Sequence, residues 1–302
     1  MIIVRTPLRI PIAGGGTDLP SWYSEHGSMF ISASINKYIY TTLHYSGFNP
    51  NVRLRDSKME EVSNLDDLQN EIARETLRIC NVRSNVEITS HAEIPSGTGL
   101  GSSGSFGVGV LHALRPSSGP QYLAEESTHI QIDTLGYPIG KQDQYVAAFG
   151  GFNCYEVSRG GLVDVVPLVF KSNFIYPLQE RLVLMYTGIK RDTNEVLKKS
   201  TLDGLTFIQG LAQESLKLFA RGDLDDYGHL LNEHWKHKKQ RGGMTNTQID
   251  EWYEKGISAG AIGGKLLGAG GGGFLMFYTK NKSEFIEQMA STGLLHVPFS
   301  FE

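Results

Sequence analysis

A run rich in glycine and serine lies between a predicted strand and a predicted helix. Residues 86–94 alternate as a strand does, and the run that follows is Pro95-Ser96-Gly97-Thr98-Gly99-Leu100-Gly101-Ser102-Ser103-Gly104. Small and apolar residues then predict a helix from Ser102 to Leu114. Such a turn directs unpaired backbone N–H groups and the positive helix end at one place, while the serine hydroxyls suit phosphate or Mg²⁺. A nucleoside triphosphate is the ligand that this loop favours.

Other phosphate loops fit the chain less well. The stretch from Gly99 to Gly104 matches the dinucleotide pattern GxGxxG, but this short pattern recurs from Gly268 to Gly273, where a strand follows. The chain has no GxxxxGKS or GxxxxGKT loop and none of the HRD or DFG sequences of protein kinases. The remaining alternative is a tight packing turn whose serines cap the helix.

Glycine is unusually frequent, with 35 residues among 302, against an average of about 7%. The glycines concentrate in three segments, residues 14–16, 97–109 and 263–273. Since they follow no fixed period, they indicate three functional loops rather than a repeat.

Bulk properties exclude several classes of protein. A net charge of −4 and a pI near 6.2 do not fit a dedicated nucleic-acid-binding surface. The two cysteines, Cys80 and Cys154, lack CxxC spacing, so neither a disulfide framework nor a cysteine zinc site is predicted. The N-terminus lacks a long apolar region, and no run approaches the roughly 18 apolar residues of a membrane span. We therefore expect a cytoplasmic protein without nucleic-acid or membrane partners, in which a homo-oligomer is possible.

Periodicity and turn residues predict the remaining elements. The stretch from Arg9 to about Tyr45 reads as strands interrupted by the first glycine segment. Helices are predicted over 66–80, 121–135, 195–202, 205–220, 224–239 and 248–259, the last with a capping signal at Thr247. Strands are predicted over 152–157, 162–168, 182–186 and 274–278. This order predicts an α+β fold with two domains.

Taken in order, the three glycine segments resemble the motifs of the GHMP kinases, the family of galactokinase and of homoserine, mevalonate and phosphomevalonate kinases. The ATP-loop motif is similar to Pro95-x3-Gly99-Leu100-Gly101-Ser102-Ser103. The first motif is similar to Thr6-Pro7-Leu8-Arg9 with Ala13-Gly14-Gly15-Gly16-Thr17-Asp18, and the third to Leu267-Gly268-Ala269-Gly270-Gly271-Gly272-Gly273. With Pro138-Ile139-Gly140-Lys141-Gln142-Asp143-Gln144, the first motif most resembles the D-glycero-D-manno-heptose 7-phosphate kinases of that family.

The resemblance implies a fold and a reaction. It implies a ribosomal S5 domain 2-like N-terminal domain over residues 1–170 that binds ATP, and a ferredoxin-like domain over 171–302. The active site is expected in the cleft between them. The implied activity is transfer of phosphate from ATP, with Mg²⁺, to the anomeric hydroxyl of a sugar or sugar phosphate. A heptose 7-phosphate is the favoured acceptor, another sugar 1-kinase such as a fucokinase is the alternative, and a catalytically silent sugar or nucleotide sensor is a second.

The resemblance also assigns roles to single residues. Asp143, expected to be buried, takes the proton of the attacking hydroxyl or only orients it, and both roles stay open. Arg9 lies near it and helps to neutralise the transferring phosphoryl group. Without the resemblance, Asp143 would read as a helix N-cap and Arg9 as a surface arginine at the start of a strand.

Binding residues follow in the same way. ATP is assigned to the loop residues Pro95, Gly97, Thr98, Gly99, Leu100, Gly101, Ser102, Ser103 and Gly104. The sugar is assigned to the first and third motifs, at Gly15, Gly16, Thr17, Asp18, Gly270, Gly271 and Gly272. A sugar phosphate needs further cations, for which Lys141, Lys190 and Arg191 are candidates, although each also fits a solvated surface charge.

The metal position departs from the family pattern. Mg²⁺ is assigned to Ser103 and Gln131, but the family has a glutamate where this chain has Gln131, and a neutral amide is a poorer ligand. Either Asp133 or Glu126 supplies the charge from a turn away, or the metal relies on Ser103 and the phosphates.

Two other segments are unusual. Residues 115–120 form a shorter connection than the family has after the loop helix. In the run from His234 to Arg241, His234 and His237 have the spacing of metal or phosphate ligands, but cations are also common at a helix end.

Overall fold

The structure is a computed structural model that describes residues 1–170, 174–190, 193–199 and 201–302. Contacts divide the chain into two compact units, each built from separate stretches of sequence. The first unit contains Met1–Arg9, Asn36–Ser96 and Gly101–Gly150, and the second contains Ile10–Ile35, Gly97–Leu100 and Gly151–Glu302. The predicted domain boundary between residues 170 and 171 stays a prediction, since Lys171 lies outside the described residues.

Strands and helices are mixed along the chain, as the α+β prediction requires. The strands are β1 Ile2–Ala13, β2 Ser28–Tyr45, β3 Val52–Arg55, β4 Met59–Val62, β5 Val86–Ala92, β6 Phe152–Val157, β7 Val163–Pro167, β8 Leu182–Tyr186, β9 Ala261–Leu266, β10 Phe274–Thr279 and β11 Leu295–His296. The helices are α1 Pro20–His26, α2 Glu71–Ile79, α3 Ser102–Leu114, α4 Pro120–Thr128, α5 Gln142–Phe149, α6 Ile175–Arg181, α7 Thr193–Lys199, α8 Leu205–Arg221, α9 Leu224–Lys239, α10 Thr247–Ser258 and α11 Lys282–Met289.

In the first unit a twisted sheet supports the helix that follows the glycine-serine loop. Strand β5 pairs in parallel with β3 and antiparallel with residues 39–45 of β2, and β4 lies antiparallel at the other side of β3. Helix α3 packs through Val108 and Leu111 against Leu123 and Ala147, which lie on α4 and α5. Its predicted bounds are confirmed.

The second unit contains a four-stranded antiparallel sheet in the order β11-β8-β10-β9. Its central strands are hydrophobic along their whole length, and Met276 lies opposite Leu184 on one side and Lys265 on the other. Helix α9 approaches β9 closely, since a Cβ on Gly263 would lie 2.1 Å from the carbonyl oxygen of Gly228. The first residues of β2 pair separately with β6, and β6 pairs with β7.

Helix α1 shows that the prediction of strands throughout residues 9–45 is wrong. Pro20 is near the start of this helix, where its fixed φ and missing N–H are tolerated. Trp22 packs on Leu205 and Ile208 of α8, and its indole N–H donates to Gln209 Oε1 at 2.7 Å. Tertiary packing, rather than local propensity, therefore determines this short helix.

The predicted helix over residues 121–135 is divided into two parts. Helix α4 ends at Thr128, and a π-helical turn covers His129–Thr134. The wider turn places Gln131 against α3, where a Cβ on Gly107 would lie 2.7 Å from Gln131 Nε2. Such turns are rare in proteins, and those that occur are often found at functional sites.

The capping prediction for α10 is wrong by one residue. Asn246 precedes the helix in an extended conformation, and its side-chain oxygen accepts a hydrogen bond from the Ile249 N–H at 3.0 Å. An asparagine satisfies one of the free N–H groups of the first turn as well as a threonine does. Thr247 is therefore the first helical residue rather than the cap.

Among the described helices, none is both long enough and apolar enough to span a membrane.

Candidate active site

The two residues predicted to be catalytic are in direct contact within the first unit. Arg9, on β1, donates from Nε and Nη2 to Asp143 Oδ1, at 2.8 and 2.6 Å. Asp143 lies in the first turn of α5. The arginine side chain is 5% exposed and that of the aspartate is 28% exposed. The carboxylate is thus held on its arginine side and remains accessible on another.

The alternative roles of these residues are wrong. Lys141 occupies the N-cap position of α5, while the Asp143 side chain bonds to Arg9. Arg9 is buried in its strand rather than on the surface. The expectation of a buried aspartate is also wrong, because Asp143 is only half-buried. Partial exposure is what a group that must contact a substrate hydroxyl requires.

Two glycines of α3 and its N-terminus let the pair approach the loop. A Cβ on Gly101 would lie 3.1 Å from Arg9 Cγ and 3.3 Å from Asp143 Cγ, and the φ of +82° at Gly101 disfavours any other residue. A Cβ on Gly104 would lie 2.5 Å from Asp143 Cβ. The Ser105 hydroxyl donates to the Pro7 carbonyl at 2.7 Å, which ties α3 to β1 next to Arg9.

The N-terminus of α3 has the features of an anion site. Its N-cap is Gly101, which has no side chain to bond the free N–H groups of the first turn. Ser102 and Ser103 lie inside that turn, half-buried and exposed respectively, so the alternative in which they cap the helix is wrong. Phosphate oxygens fit the unfilled N–H groups and the helix dipole.

The first glycine segment forms a tight turn in the second unit. The Thr17 hydroxyl donates to the Gly14 carbonyl at 2.8 Å and contacts the Ser28 hydroxyl at 2.7 Å, and Thr17 is fully buried. The Gly16 N–H donates to Asp18 Oδ1 at 3.1 Å. Thr17 therefore shapes the turn from inside, whereas Gly15 and Gly16 are half-buried and have accessible surface.

The third glycine segment is packed against its neighbours in the second unit. A Cβ on Gly270 would lie 2.7 Å from Met244 Cα, and the Gly271 N–H donates to the Met244 carbonyl at 2.9 Å. A Cβ on Gly273 would lie 2.0 Å from the Thr98 carbonyl oxygen in the predicted phosphate loop. This contact packs the third motif against the loop, while the assignment of Gly270, Gly271 and Gly272 to the sugar stays a prediction.

The predicted phosphate-binding cations are in different settings. Lys141 is half-buried beside α5, and burial lowers its pKa while the charges of Asp133 and Glu125 raise it. Lys190 is exposed. Arg191 lies outside the described residues.

Gln131 is poorly suited to hold Mg²⁺. It is fully buried, its Nε2 donates to the Ser127 hydroxyl at 3.2 Å, and its Oε1 has no hydrogen-bond partner. It faces Gly107, one helical turn beyond Ser103, where it contributes no negative charge. A serine hydroxyl and a neutral amide do not make a magnesium site by themselves, since Mg²⁺ in proteins is bound through carboxylates and substrate phosphates.

The two alternative carboxylates, Glu126 and Asp133, do not complete a magnesium site beside Ser103. Glu126 acts electrostatically on Cys80 and on Arg115, the C-cap of α3, at the opposite end of that helix from Ser103. Asp133 is 64% exposed and bonds to His129 at 2.9 Å. Within the described ranges, no group of three or more histidine, cysteine, aspartate or glutamate side chains is placed to hold a metal ion.

Three basic residues of the run from His234 to Arg241 form, with Lys265, a buried basic cluster in the second unit, and the sequence did not predict this burial. His234 is buried, and burial first, then the positive charges of Lys265, Lys238, Arg241 and His237, hold its pKa well below its usual range. His234 is therefore neutral rather than a surface metal ligand. The spacing of 234 and 238 places these two side chains on one face of α9, and Arg241 follows the helix two residues after its end.

Comparisons with known proteins show the family of the chain. Residues 67–151 match the N-terminal domain of the GHMP kinases and residues 215–293 match their C-terminal domain. The chain is 30% identical to D-glycero-alpha-D-manno-heptose 7-phosphate kinase of Campylobacter jejuni over 92% of this chain and 89% of that protein. It is 26% identical to the L-fucokinase/L-fucose-1-P guanylyltransferase of Bacteroides fragilis, over 92% of this chain but 34% of that protein.

A solved structure extends the likeness. The D-glycero-D-manno-heptose 1-phosphate kinase of Bacteroides thetaiotaomicron superposes with a TM-score of 0.82 at 25% identity, over 100% of this chain and 96% of that one. The chain therefore belongs to the GHMP kinase family and has the two-domain fold of that family. The predicted enzyme class, an ATP-dependent sugar kinase, is confirmed.

Proposed function

We propose that this protein transfers the γ-phosphoryl group of ATP to the anomeric hydroxyl of a sugar phosphate. The favoured acceptor is D-glycero-D-manno-heptose 7-phosphate, and its product is the 1,7-bisphosphate used in nucleotide-sugar synthesis for surface polysaccharides. The observation that carries the proposal is the Arg9–Asp143 contact, held against the first turn of α3 by Gly101 and Gly104.

The pair supports the transfer chemistry directly. The two bonds from Arg9 to this carboxylate end on Asp143 Oδ1, which leaves Oδ2 to accept a hydrogen bond from the attacking hydroxyl. As the new oxygen–phosphorus bond forms, the bond to the bridging oxygen of ADP breaks, and the hydroxyl proton leaves toward the carboxylate. Phosphoryl transfer depends mainly on such positioning and on stabilisation of charge.

The phosphate donor is proposed to meet the N-terminus of α3. The first-turn N–H groups and the exposed Ser103 hydroxyl supply donors for phosphate oxygens. Mg²⁺, when bound, would neutralise phosphate charge. Of the two predicted metal residues, Ser103 is the one whose side chain is exposed and could contact it.

The acceptor is tested by coupled ADP release with MgATP and a panel of heptose, heptose 7-phosphate, heptose 1-phosphate and fucose. Phosphorus NMR then locates the new phosphate. Turnover with the 7-phosphate and a new anomeric signal are expected. Preferential turnover of fucose would show that fucose is the acceptor, as in the alternative of a fucokinase. ATP binding without turnover of any sugar would support the silent sensor instead.

A further inference from the structure

Arg241 follows α9 and lies against the first glycine segment in the second unit. A Cβ on Gly16 would lie 2.6 Å from Arg241 Nη1, so the guanidinium occupies the space beside this glycine. Arg241 is 3% exposed, and its Nε donates to the Thr201 carbonyl at 3.1 Å. Its Nη2 is buried and has no hydrogen-bond partner. An unpaired donor on a buried cation is costly unless water or a ligand completes it.

The charges around Arg241 favour an anion. Burial lowers the pKa of Arg241, and Asp18 is the acid whose charge opposes that effect. Asp18 is engaged elsewhere as well, since its Oδ1 accepts from the Gly16 N–H. Asp18 is thus a carboxylate that acts on Arg241, and Arg241 is the member of the buried basic cluster that lies next to Gly16.

Two other cations of this group donate to main-chain oxygens. Lys265 Nζ donates to the Ile12 carbonyl at 2.9 Å, and Lys238 Nζ donates to the carbonyls of Leu266 and Gly268 at 2.8 and 2.5 Å. Besides burial, the positive charges of Lys265, Lys238 and Arg241 act together on His234 and lower its pKa, so the surroundings of Arg241 are basic. A dianionic phosphate ester complements both these basic surroundings and the fork geometry of a guanidinium.

We propose that Arg241 binds the phosphate ester already present on the acceptor, through Nη2 and next to the backbone of Gly15 and Gly16. Arg241 thereby selects a phosphorylated sugar over the free sugar. This inference rests on the proposed kinase function and names the residue that gives its acceptor class. The rival role, in which Arg241 only joins the glycine turn to Thr201, predicts equal effects on every acceptor.

The kinetic test compares Arg241→Gln, Arg241→Lys and the exposed control Arg221→Gln with the unmodified protein. Each is assayed with heptose 7-phosphate and with heptose. For Arg241→Gln, we expect kcat/KM for the phosphorylated acceptor to fall about 100-fold, with little change for the free sugar. Lysine should restore part of the loss, and Arg221→Gln should change neither value. An equal loss with both acceptors would overturn the proposal.

Two binding tests need no turnover, and the first of them needs no variant. In the unmodified protein, inorganic phosphate should compete with the sugar phosphate and not with ATP, and competition with ATP alone would overturn the proposal. Titration calorimetry with heptose 7-phosphate, without ATP, should show binding that Arg241→Gln weakens about 100-fold. Unchanged binding in that variant counts against Arg241 whether or not the kinase reaction is found.

Discussion

Each compact unit contains a buried arginine near an aspartate, and the two arginines differ in how their charge is met. In the first unit, two nitrogens of Arg9 bond to Asp143 Oδ1. In the second, Arg241 bonds through Nε to a main-chain carbonyl, while Nη2 is unpaired. Arg9 is thus paired with a protein carboxylate, whereas Arg241 retains one N–H donor that no described protein group accepts.

This difference indicates two roles for one residue type. Pairing with an arginine fixes the geometry of a carboxylate, which suits a group that must meet a hydroxyl at a defined place. A buried guanidinium with an unpaired donor is stabilised strongly by a bound anion, because the anion accepts the hydrogen bond and neutralises the charge. Positioning is therefore expected in the first unit and selection in the second.

The largest effect is expected for Asp143→Asn, which disrupts the ion pair between Asp143 and Arg9. Asp143→Asn keeps the size of the side chain but removes the charge that accepts from Arg9 and from the hydroxyl. We expect kcat to fall about 1,000-fold, within the usual range for loss of an acid–base group, while acceptor binding by calorimetry changes little.

The control for this variant is Asp67→Asn, an exposed acid in the same unit. It should retain full kcat, and circular dichroism should show both variants folded. Near-normal kcat in Asp143→Asn would remove Asp143 from the proposed chemistry.

The next variant moves the pair without changing either member. In Gly104→Ala the new methyl group would lie 2.5 Å from Asp143 Cβ and 2.8 Å from its backbone carbonyl carbon, so α5 must shift. We expect kcat to fall about 10- to 100-fold and unfolding free energy to drop by about 1–3 kcal/mol, as for other overpacked sites.

Gly210→Ala is the matched helical control, because nothing lies within 4 Å of its new methyl group. Alanine at this exposed helical position should raise the unfolding free energy by about 0.5–1 kcal/mol. Urea unfolding and kcat measured on both variants separate helix propensity from displacement. Equal kcat in the two variants would show that the position of Asp143 is not critical.

A smaller effect is expected at Arg241. In Gly16→Ala the methyl group would displace Arg241 Nη1, at 2.6 Å, and the φ of +98° adds backbone strain. We expect KM for the phosphorylated acceptor to rise about 10-fold at nearly constant kcat, since one charged contact is weakened.

Gly243→Ala separates strain from displacement, because its φ is +64° and nothing lies within 4 Å of the added methyl group. It should lose stability, by about 1 kcal/mol, without a change in KM. A KM that rises equally in both variants would assign the effect of Gly16→Ala to backbone strain.

The smallest effect concerns the pH dependence of stability near Arg241. Since burial and neighbouring cations lower the pKa of His234, the unfolded chain takes up this proton first as pH falls. Its contribution is fully present above about pH 6.5 and declines below it, by up to roughly 1.4 kcal/mol per pH unit. His234→Gln should flatten urea-unfolding free energies between about pH 5 and 6.5, whereas exposed His229→Gln should not.

Several elements were predictable because their signals are local. The bounds of α3, α9, β6 and β8 agree with the sequence predictions, since each combines clear periodicity with turn residues. The loop between β5 and α3 was predictable for the same reason. Helix α1 and the division after α4 were not, because packing of Trp22 and the approach of Gly107 to Gln131 decide them.

The features of the candidate active site also divide into those that the sequence predicted and those that it did not. Sequence motifs alone assigned the phosphate loop, Arg9 and Asp143, because those residue types and their order are set along the chain. Only the tertiary structure decided that Asp143 is half-exposed beside Arg9, that Gln131 is buried, and that Arg241 lies on Gly16 with an unpaired nitrogen. Burial and charge pairing arise from residues that are distant in the sequence, such as Arg9 and Asp143 at 134 positions apart, and no local spacing specifies them.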